Sequence, residues 1–148
     1  MHSFKIYNNN IKPDASEKQE LVDFLYNHLG EYGDAKEHIL NCLEFATMEN
    51  LSAAGGFVLA VYEKKDLLGV TIINKTGMSG YIPENILVYI AVHEKTRGKG
   101  IGKALMEKAI DLAEGDIALH VEPDNPAKRL YEKLGFTNKY LEMRLSRL

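Results

Sequence analysis

The chain contains one cysteine, no tryptophan and four prolines in 148 residues. A single thiol, Cys42, excludes an internal disulfide and fits a reducing compartment, so a cytoplasmic location is expected. Cys42 falls within a helical pattern and reads as a core thiol. No apolar run approaches the ~20 residues of a membrane span, and no cleavable signal pattern opens the chain. A membrane is therefore not an expected partner. Excess charge of one sign is also missing: 18 Lys and Arg stand against 21 Asp and Glu, a net charge of −3. That balance argues against nucleic acid as a partner. No His, Cys, Asp or Glu group has metal-ligand spacing, so no metal is expected. Internal repeats and low-complexity tracts are lacking too. What is present is a 45% hydrophobic chain, enough for one domain over residues 1–148 with a real core.

The charge is unevenly spread. Residues 1–50 carry 4 Lys and Arg against 9 Asp and Glu, whereas residues 126–148 carry 6 against 2. A basic C-terminal half suits an anionic ligand, and an acidic N-terminal half suits a cationic one. Ordinary solvated charge explains the N-terminal half equally well.

Taken in order, Phe4–Tyr7 alternates as a short strand and is broken by Asn8–Asn10 and Pro13-Asp14. Ser16-x-x-Gln19 has the form of a capping box, and Leu21, Val22, Phe24, Leu25 and Leu29 recur at helical spacing up to Gly30. Asp34-x-x-Glu37 signals a second helix, with Ile39, Leu40 and Leu43 on its apolar side and an end near Asn50. Phe57–Tyr62 and Leu67–Ile73 read as strands of a hairpin. The loop from Asn74 to Asn85 contains Gly77, Gly80 and Pro83 and is long enough to suggest function. Ile86–Val92 is continuously apolar, the mark of a central strand covered on both faces. A helix from Gly100 to Ala113, a strand Ile117–Val121, a short helix after Pro126 and a strand near Thr137–Leu145 complete the pattern. Strand, helix, strand at this spacing implies a right-handed parallel crossover.

Between the central strand and its helix lies Glu94-Lys95-Thr96-Arg97-Gly98-Lys99-Gly100-Ile101-Gly102-Lys103. A basic, glycine-rich turn that opens a helix presents unpaired backbone N–H groups at the positive end of the dipole, which suits an anion. Two phosphate-loop spacings fail. The Walker loop needs a glycine where Arg97 stands and Ser or Thr where Ala104 stands. The dinucleotide fingerprint needs a third glycine where Lys103 stands.

Arg97-x-x-Gly100-x-Gly102 instead resembles the acyl-CoA pyrophosphate loop of the GNAT superfamily of N-acetyltransferases. Downstream, Asn125-x-Ala127-x-x-x-Tyr131-x-x-x-Gly135-Phe136 resembles that family's second signature, in the right order. The resemblance is close from Ile86 to Leu145 and rests on element order elsewhere. It implies an α/β (mixed α+β) fold: a central mixed, mainly antiparallel sheet of six to seven strands with about four helices. Two central parallel strands would splay to hold acyl-CoA.

The implied activity is transfer of an acetyl group from acetyl-CoA to a primary amine of a small molecule or peptide. Carried over position by position, Arg97, Gly98, Lys99, Gly100, Ile101 and Gly102 would bind the pyrophosphate. The backbone of Ile90 and Val92 would pair with the pantetheine arm, and Asn125 would contact it further. Lys128 and Lys133 read as solvated surface or as 3′-phosphate contacts. Tyr131 occupies the family's acid position, opposite the departing sulfur. An alkyl ammonium near pKa ~10.4 must lose its proton before attack, and Glu84 is the first candidate base. His120, Glu122 or ordered water are others. Glu31, Tyr32 and Tyr81 are candidates for the acceptor wall. A different reading, a non-catalytic acyl-CoA sensor or interaction module, stays open at this stage, as does the choice between monomer and homodimer.

Overall fold

The computed structural model describes residues 2–147. In chain order it contains β1 (Ser3–Tyr7), α1 (Ala15–Leu29), a 3₁₀ turn (Gly30–Tyr32), α2 (Lys36–Ala46), β2 (Gly56–Glu63) and β3 (Asp66–Lys75). These are followed by β4 (Asn85–Val92), a 3₁₀ turn (Glu94–Thr96), α3 (Ile101–Leu112), β5 (Ile117–Leu119) and α4 (Lys128–Lys133). The five strands form one sheet in sequential order. Pairing is antiparallel from β1 to β4 and parallel between β4 and β5.

Side chains alternate across each strand, so one sheet serves two cores. On one face Val58, Ala60, Val70 and Ile72 meet Leu21, Leu25, Ile39 and Leu43 of α1 and α2. On the other, Leu59, Val61, Ile73 and Leu87 meet Ile101, Leu105 and Met106 of α3 and Tyr131 of α4. The mixed, mainly antiparallel α/β architecture is as expected; among the described residues there are four α-helices, and the sheet has five strands rather than six or seven. The expected strand near Thr137–Leu145 carries no regular structure, and Leu141, Met143 and Leu145 are exposed. Alternation gives a segment strand character, yet a strand exists only where an edge pairs with it.

Three local expectations shift. The first capping box is Asp14 with Glu17, not Ser16 with Gln19. Asp14 is extended and its carboxylate accepts the Glu17 N–H at 2.8 Å, while Glu17 accepts the Asp14 N–H at 3.0 Å. Glu17 also accepts from Lys5 and, at 2.8 Å, from the Tyr7 hydroxyl. The Lys5 hydrogen bond, then the Asp14 N–H, brings its carboxyl down to about 2. Secondly, α2 has no side-chain cap, because Asp34 turns toward β4, and the helix stops at Ala46 with Met48 left-handed at φ 57°. Thirdly, β4 is not covered evenly. Ile72 faces Tyr89 while Ile73 faces Leu87, so Val88 is an extra, bulged residue, 38% exposed. A bulge re-aims the side chains beyond it.

Candidate functional site

The site begins where the sheet stops pairing. β4 is matched to β3 from Asn85 to Val92, opposite Gly69, apart from the bulged Val88. Toward β5 the register holds only for Asn85, Ile86 and Leu87, opposite Ile117, Ala118 and Leu119. From Val88 to Val92 the β5 side of β4 has no partner strand among the described residues. A strand edge with unpaired backbone groups is a template for an extended, amide-bearing ligand. Ile90 and Val92, the residues expected to serve this purpose, border the open part.

At the end of this edge the chain enters the glycine-rich turn. The N–H groups of Arg97 and Lys99 close the turn on the carbonyls of Glu94 and Thr96. Those of Gly98, Gly100, Ile101, Gly102 and Lys103 have no acceptor among the described residues. Gly100 precedes α3 with φ 82° and ψ 7°, a left-handed conformation that disfavours any side chain. An added Cβ there would meet nothing within 4 Å, so the backbone faces open space. Gly102 has a different role. Its Cβ position lies 3.4 Å from Leu130 and 3.6 Å from Val92, which lets the first turn of α3 settle against α4 and β4. Free N–H groups, Lys99 beside them and an unpaired strand edge leading to them fit a ligand with a pyrophosphate at one end and amides along its arm. The Arg97 guanidinium donates to the His28 carbonyl at 2.9 Å, tying the turn to the C-terminal end of α1.

α4 packs on the same face of the sheet as α3. Tyr131 is buried at 7% exposure in the cluster that holds Ile90 and Val92 of β4 and Leu119 and Val121 near β5. Its ring meets Phe136 edge-on at 6.1 Å. Among the described residues its hydroxyl has no hydrogen-bond partner, and burial pushes it up to about 12, so it carries its proton at neutral pH. Asn125 uses its side-chain oxygen to accept the Ala127 N–H at 2.9 Å, which starts the turn into α4. Lys128 lies 3.9 Å from Glu132.

Glu84 stands before β4, at the opposite end of that strand from the glycine turn. One carboxylate oxygen accepts the Asp116 N–H at 2.8 Å and the other the Gly80 N–H at 3.4 Å. The Asp116 bond, then contributions from its own N–H and that of Gly80, hold the carboxyl below the ordinary range. It brackets the start of β5 to the loop before β4.

The three acceptor candidates are not brought together. Glu31 and Tyr32 share the 3₁₀ turn after α1, and the Tyr32 hydroxyl reaches the Asp124 carbonyl at 3.4 Å, spanning toward the loop after β5. Tyr81 is 81% exposed on the loop before β4. Sequence reasoning missed two other groups. Tyr89 is buried within the apolar strand and donates to Asp34 at 2.5 Å. A tyrosine inside such a run is itself a signal, since its hydroxyl must find a partner when buried. The His28 and His93 rings meet at a tilt of 40° with centroids 4.4 Å apart. Burial, then the neighbouring His93 and Arg97, lowers His28 below the ordinary histidine range.

The family model for the acetyltransferase (GNAT) family matches residues 20–136. Among solved structures, the fold is similar to that of an aminoglycoside acetyltransferase from an uncultured soil metagenomic sample (TM-score 0.69, 18% identity, 100% of this chain and 99% of that one). It is also similar to a ribosomal-protein-alanine N-acetyltransferase from Brucella melitensis biovar Abortus 2308 (TM-score 0.68, 18% identity, 99% of each chain). An aminoglycoside N-acetyltransferase in complex with CoA shares the fold at 11% identity (TM-score 0.69, 99% of this chain and 96% of that one). At these identities the neighbours speak to the fold, while the family match covers most of the chain and includes both signature segments. The chain belongs to the GNAT acetyltransferase family and is an acyltransferase.

Proposed function

We propose that the protein is an N-acetyltransferase that moves an acetyl group from acetyl-CoA to a primary amine by direct attack, with Tyr131 as the acid. The observation that carries this reading is the unpaired edge of β4, which leads to the free N–H groups of the glycine turn, with Tyr131 buried in the cluster that also holds Ile90 and Val92. Acetyl-CoA, when bound, supplies the acyl group as a thioester. Gly98, Gly100, Ile101 and Gly102 would hold its pyrophosphate with backbone N–H groups, and Lys99 adds charge. The edge at Ile90 and Val92 would hold its amide arm.

The remaining work falls to this chain's residues. An N–H on the open edge, at Val92 or its neighbour, steadies the charge that develops on the carbonyl oxygen. The neutral amine forms the C–N bond as the C–S bond breaks. The surplus proton on nitrogen leaves to water, and Glu84 is left to bracket β5 to the loop before β4. The departing sulfur receives the Tyr131 proton, and the phenol is restored from solvent. With its pKa raised to about 12, Tyr131 is a hydrogen-bond donor to the sulfur first and transfers its proton only as thiolate charge builds.

Thiol release from acetyl-CoA with a panel of amines tests this directly. Tyr131→Phe is expected to lower kcat about 100-fold, the usual range for a lost general acid. KM for acetyl-CoA should stay within about twofold, since the hydroxyl matters in the transition state and not in binding. An unchanged kcat would remove Tyr131 from the chemistry.

A further inference from the structure

Among the described residues, three polar side chains are buried: Thr47, Thr71 and Asn85. Two of them serve the ends of elements. The Thr47 hydroxyl donates to the Leu43 carbonyl at 3.2 Å where α2 stops, and the Asn85 amide donates to the Glu114 carbonyl at 2.7 Å where β4 begins. Thr71 has neither task. It stands in the middle of β3, fully buried in an apolar run, and its hydroxyl donates to the Tyr89 carbonyl at 2.8 Å.

That carbonyl belongs to the peptide unit that Tyr89 shares with Ile90. A trans peptide is planar and holds its C=O and N–H on opposite sides. Thr71 lies on β3, so a carbonyl turned toward it aims the Ile90 N–H away from β3, to the open side of β4. The end of the strand has the same sense. The His93 N–H donates to the Leu68 carbonyl of β3 at 2.8 Å, and backbone groups alternate between the two sides of a strand. In steps of two, Ala91 and Tyr89 face β3, while Val92 and Ile90 face the open side. Ile90 is nearer than Val92 to the last β4–β5 pair, at Leu87. With the pyrophosphate at the glycine turn and the amide arm along the edge, the thioester is the end furthest from the turn. It would reach Ile90 rather than Val92.

Tyr89 is held at its other end as well, since its hydroxyl donates to Asp34 at 2.5 Å, and the bulged Val88 comes just before it. A bulge locally disrupts the ladder, so the orientation of the next peptides needs another support. The Thr71 hydroxyl supplies it by fixing the plane of the peptide. It also polarises that peptide, because chained hydrogen bonds strengthen one another and the N–H becomes a better donor.

We propose that Thr71 is a positioning residue for acetyl transfer: through the Tyr89 carbonyl it aims the Ile90 N–H at the place where charge gathers on the thioester oxygen. This assignment rests on the acetyl-transfer reading and deepens it. Thr71 touches no substrate, and its effect passes through one peptide unit. A preorganised donor matters most where the charge is largest, in the transition state, so losing its aim lowers turnover and spares cofactor binding.

The test sets Thr71→Val, which keeps the shape and removes the hydroxyl, against Thr71→Ser, which keeps the hydroxyl and removes a methyl group. For an amine that the unaltered protein acetylates, Thr71→Val should lower kcat about tenfold, part of the ~10²–10³ lost with an oxyanion donor itself. KM for acetyl-CoA should stay within about twofold, and Thr71→Ser should recover most of kcat. A merely structural role gives the reverse order, with valine near normal and serine impaired by the lost packing. Thr71→Ala also lacks the hydroxyl and takes the place of Thr71→Val should that variant not fold. Infrared difference spectra of acetyl-CoA isotope-labelled at its thioester carbonyl give a second readout that needs no acceptor. The carbonyl stretch should fall in frequency on binding to the unaltered protein and to Thr71→Ser, and fall less in Thr71→Val. An unchanged kcat in Thr71→Val overturns the proposal, as does a rise in KM for acetyl-CoA in place of the fall in kcat. If no amine is acetylated, the transfer reading fails for those amines and the infrared comparison judges Thr71 alone. A shift that Thr71→Val reduces then supports the assignment. Equal shifts in all three proteins, or none in the unaltered one, overturn it.

Discussion

The antiparallel part of the sheet and its parallel seam are built from similar residues and behave differently. β1 through β4 are paired along nearly their whole lengths, and β2 and β3 lie buried between two helical layers. The seam between β4 and β5 stops after three residue pairs. Where pairing is complete, backbone polar groups are spent on the protein itself, and the side chains determine stability. Where it stops, the same groups have no strand partner among the described residues. The open edge of β4 is an ordinary strand edge that the fold does not finish, beginning at the bulged Val88.

If this contrast holds, substitutions in the paired region should damage stability and those at the seam should damage binding. The largest effect on folding is expected at Gly56, where an added Cβ would stand 1.9 Å from the Ile73 carbonyl oxygen. Gly56→Ala should lower unfolding free energy by about 3–5 kcal/mol, as a forced backbone shift does, measured by urea denaturation. Gly100→Val is the converse. Left-handed strain costs about 1–2 kcal/mol, and a loop that relaxes away from its geometry to relieve it should lose about tenfold in CoA affinity. Calorimetric titration with CoA would read this, and a folded variant with full affinity would separate the turn from cofactor binding.

The smallest effect concerns the closed end of the seam. Glu84→Gln should speed amide hydrogen exchange at Ile117–Leu119 while leaving β2 and β3 protected. The sign of the pH dependence follows from its lowered carboxyl pKa. Its contribution is present above the unfolded-state value near ~4.3 and is lost as pH falls through the folded value. Protection at β5 should therefore fade in acid before that of β2 and β3. Uniform loss across the sheet would show that the seam is not a separate unit.

How much of this was legible depends on distance along the chain. The glycine turn and the Asn125–Phe136 segment are each built from residues a few positions apart, so spacing carried the resemblance to the GNAT signatures, and the resemblance implied a paired cofactor site. The two apolar helical stripes were equally plain. Capping was less so, because Asp14 and Ser16 are both competent caps and the choice was made by backbone conformation and by Lys5 and Tyr7 arriving at Glu17. Tyr89 read only as part of an apolar run, and Asp34 only as a helix start.

The sequence by itself determined the alternation of strands and helices, the basic turn at the head of α3, and the tyrosine positioned on α4. These follow from periodicity, glycine and short-range hydrogen bonding, which act between near neighbours. Tertiary structure alone decided that β4 would bulge at Val88, that its seam with β5 would end at Leu87, and that the tail would add no strand. It also brought Asp34 to Tyr89, 55 residues away. Each of these depends on which edge or hydroxyl finds a partner across the fold, and an unpaired backbone edge has no signature in the residues that carry it.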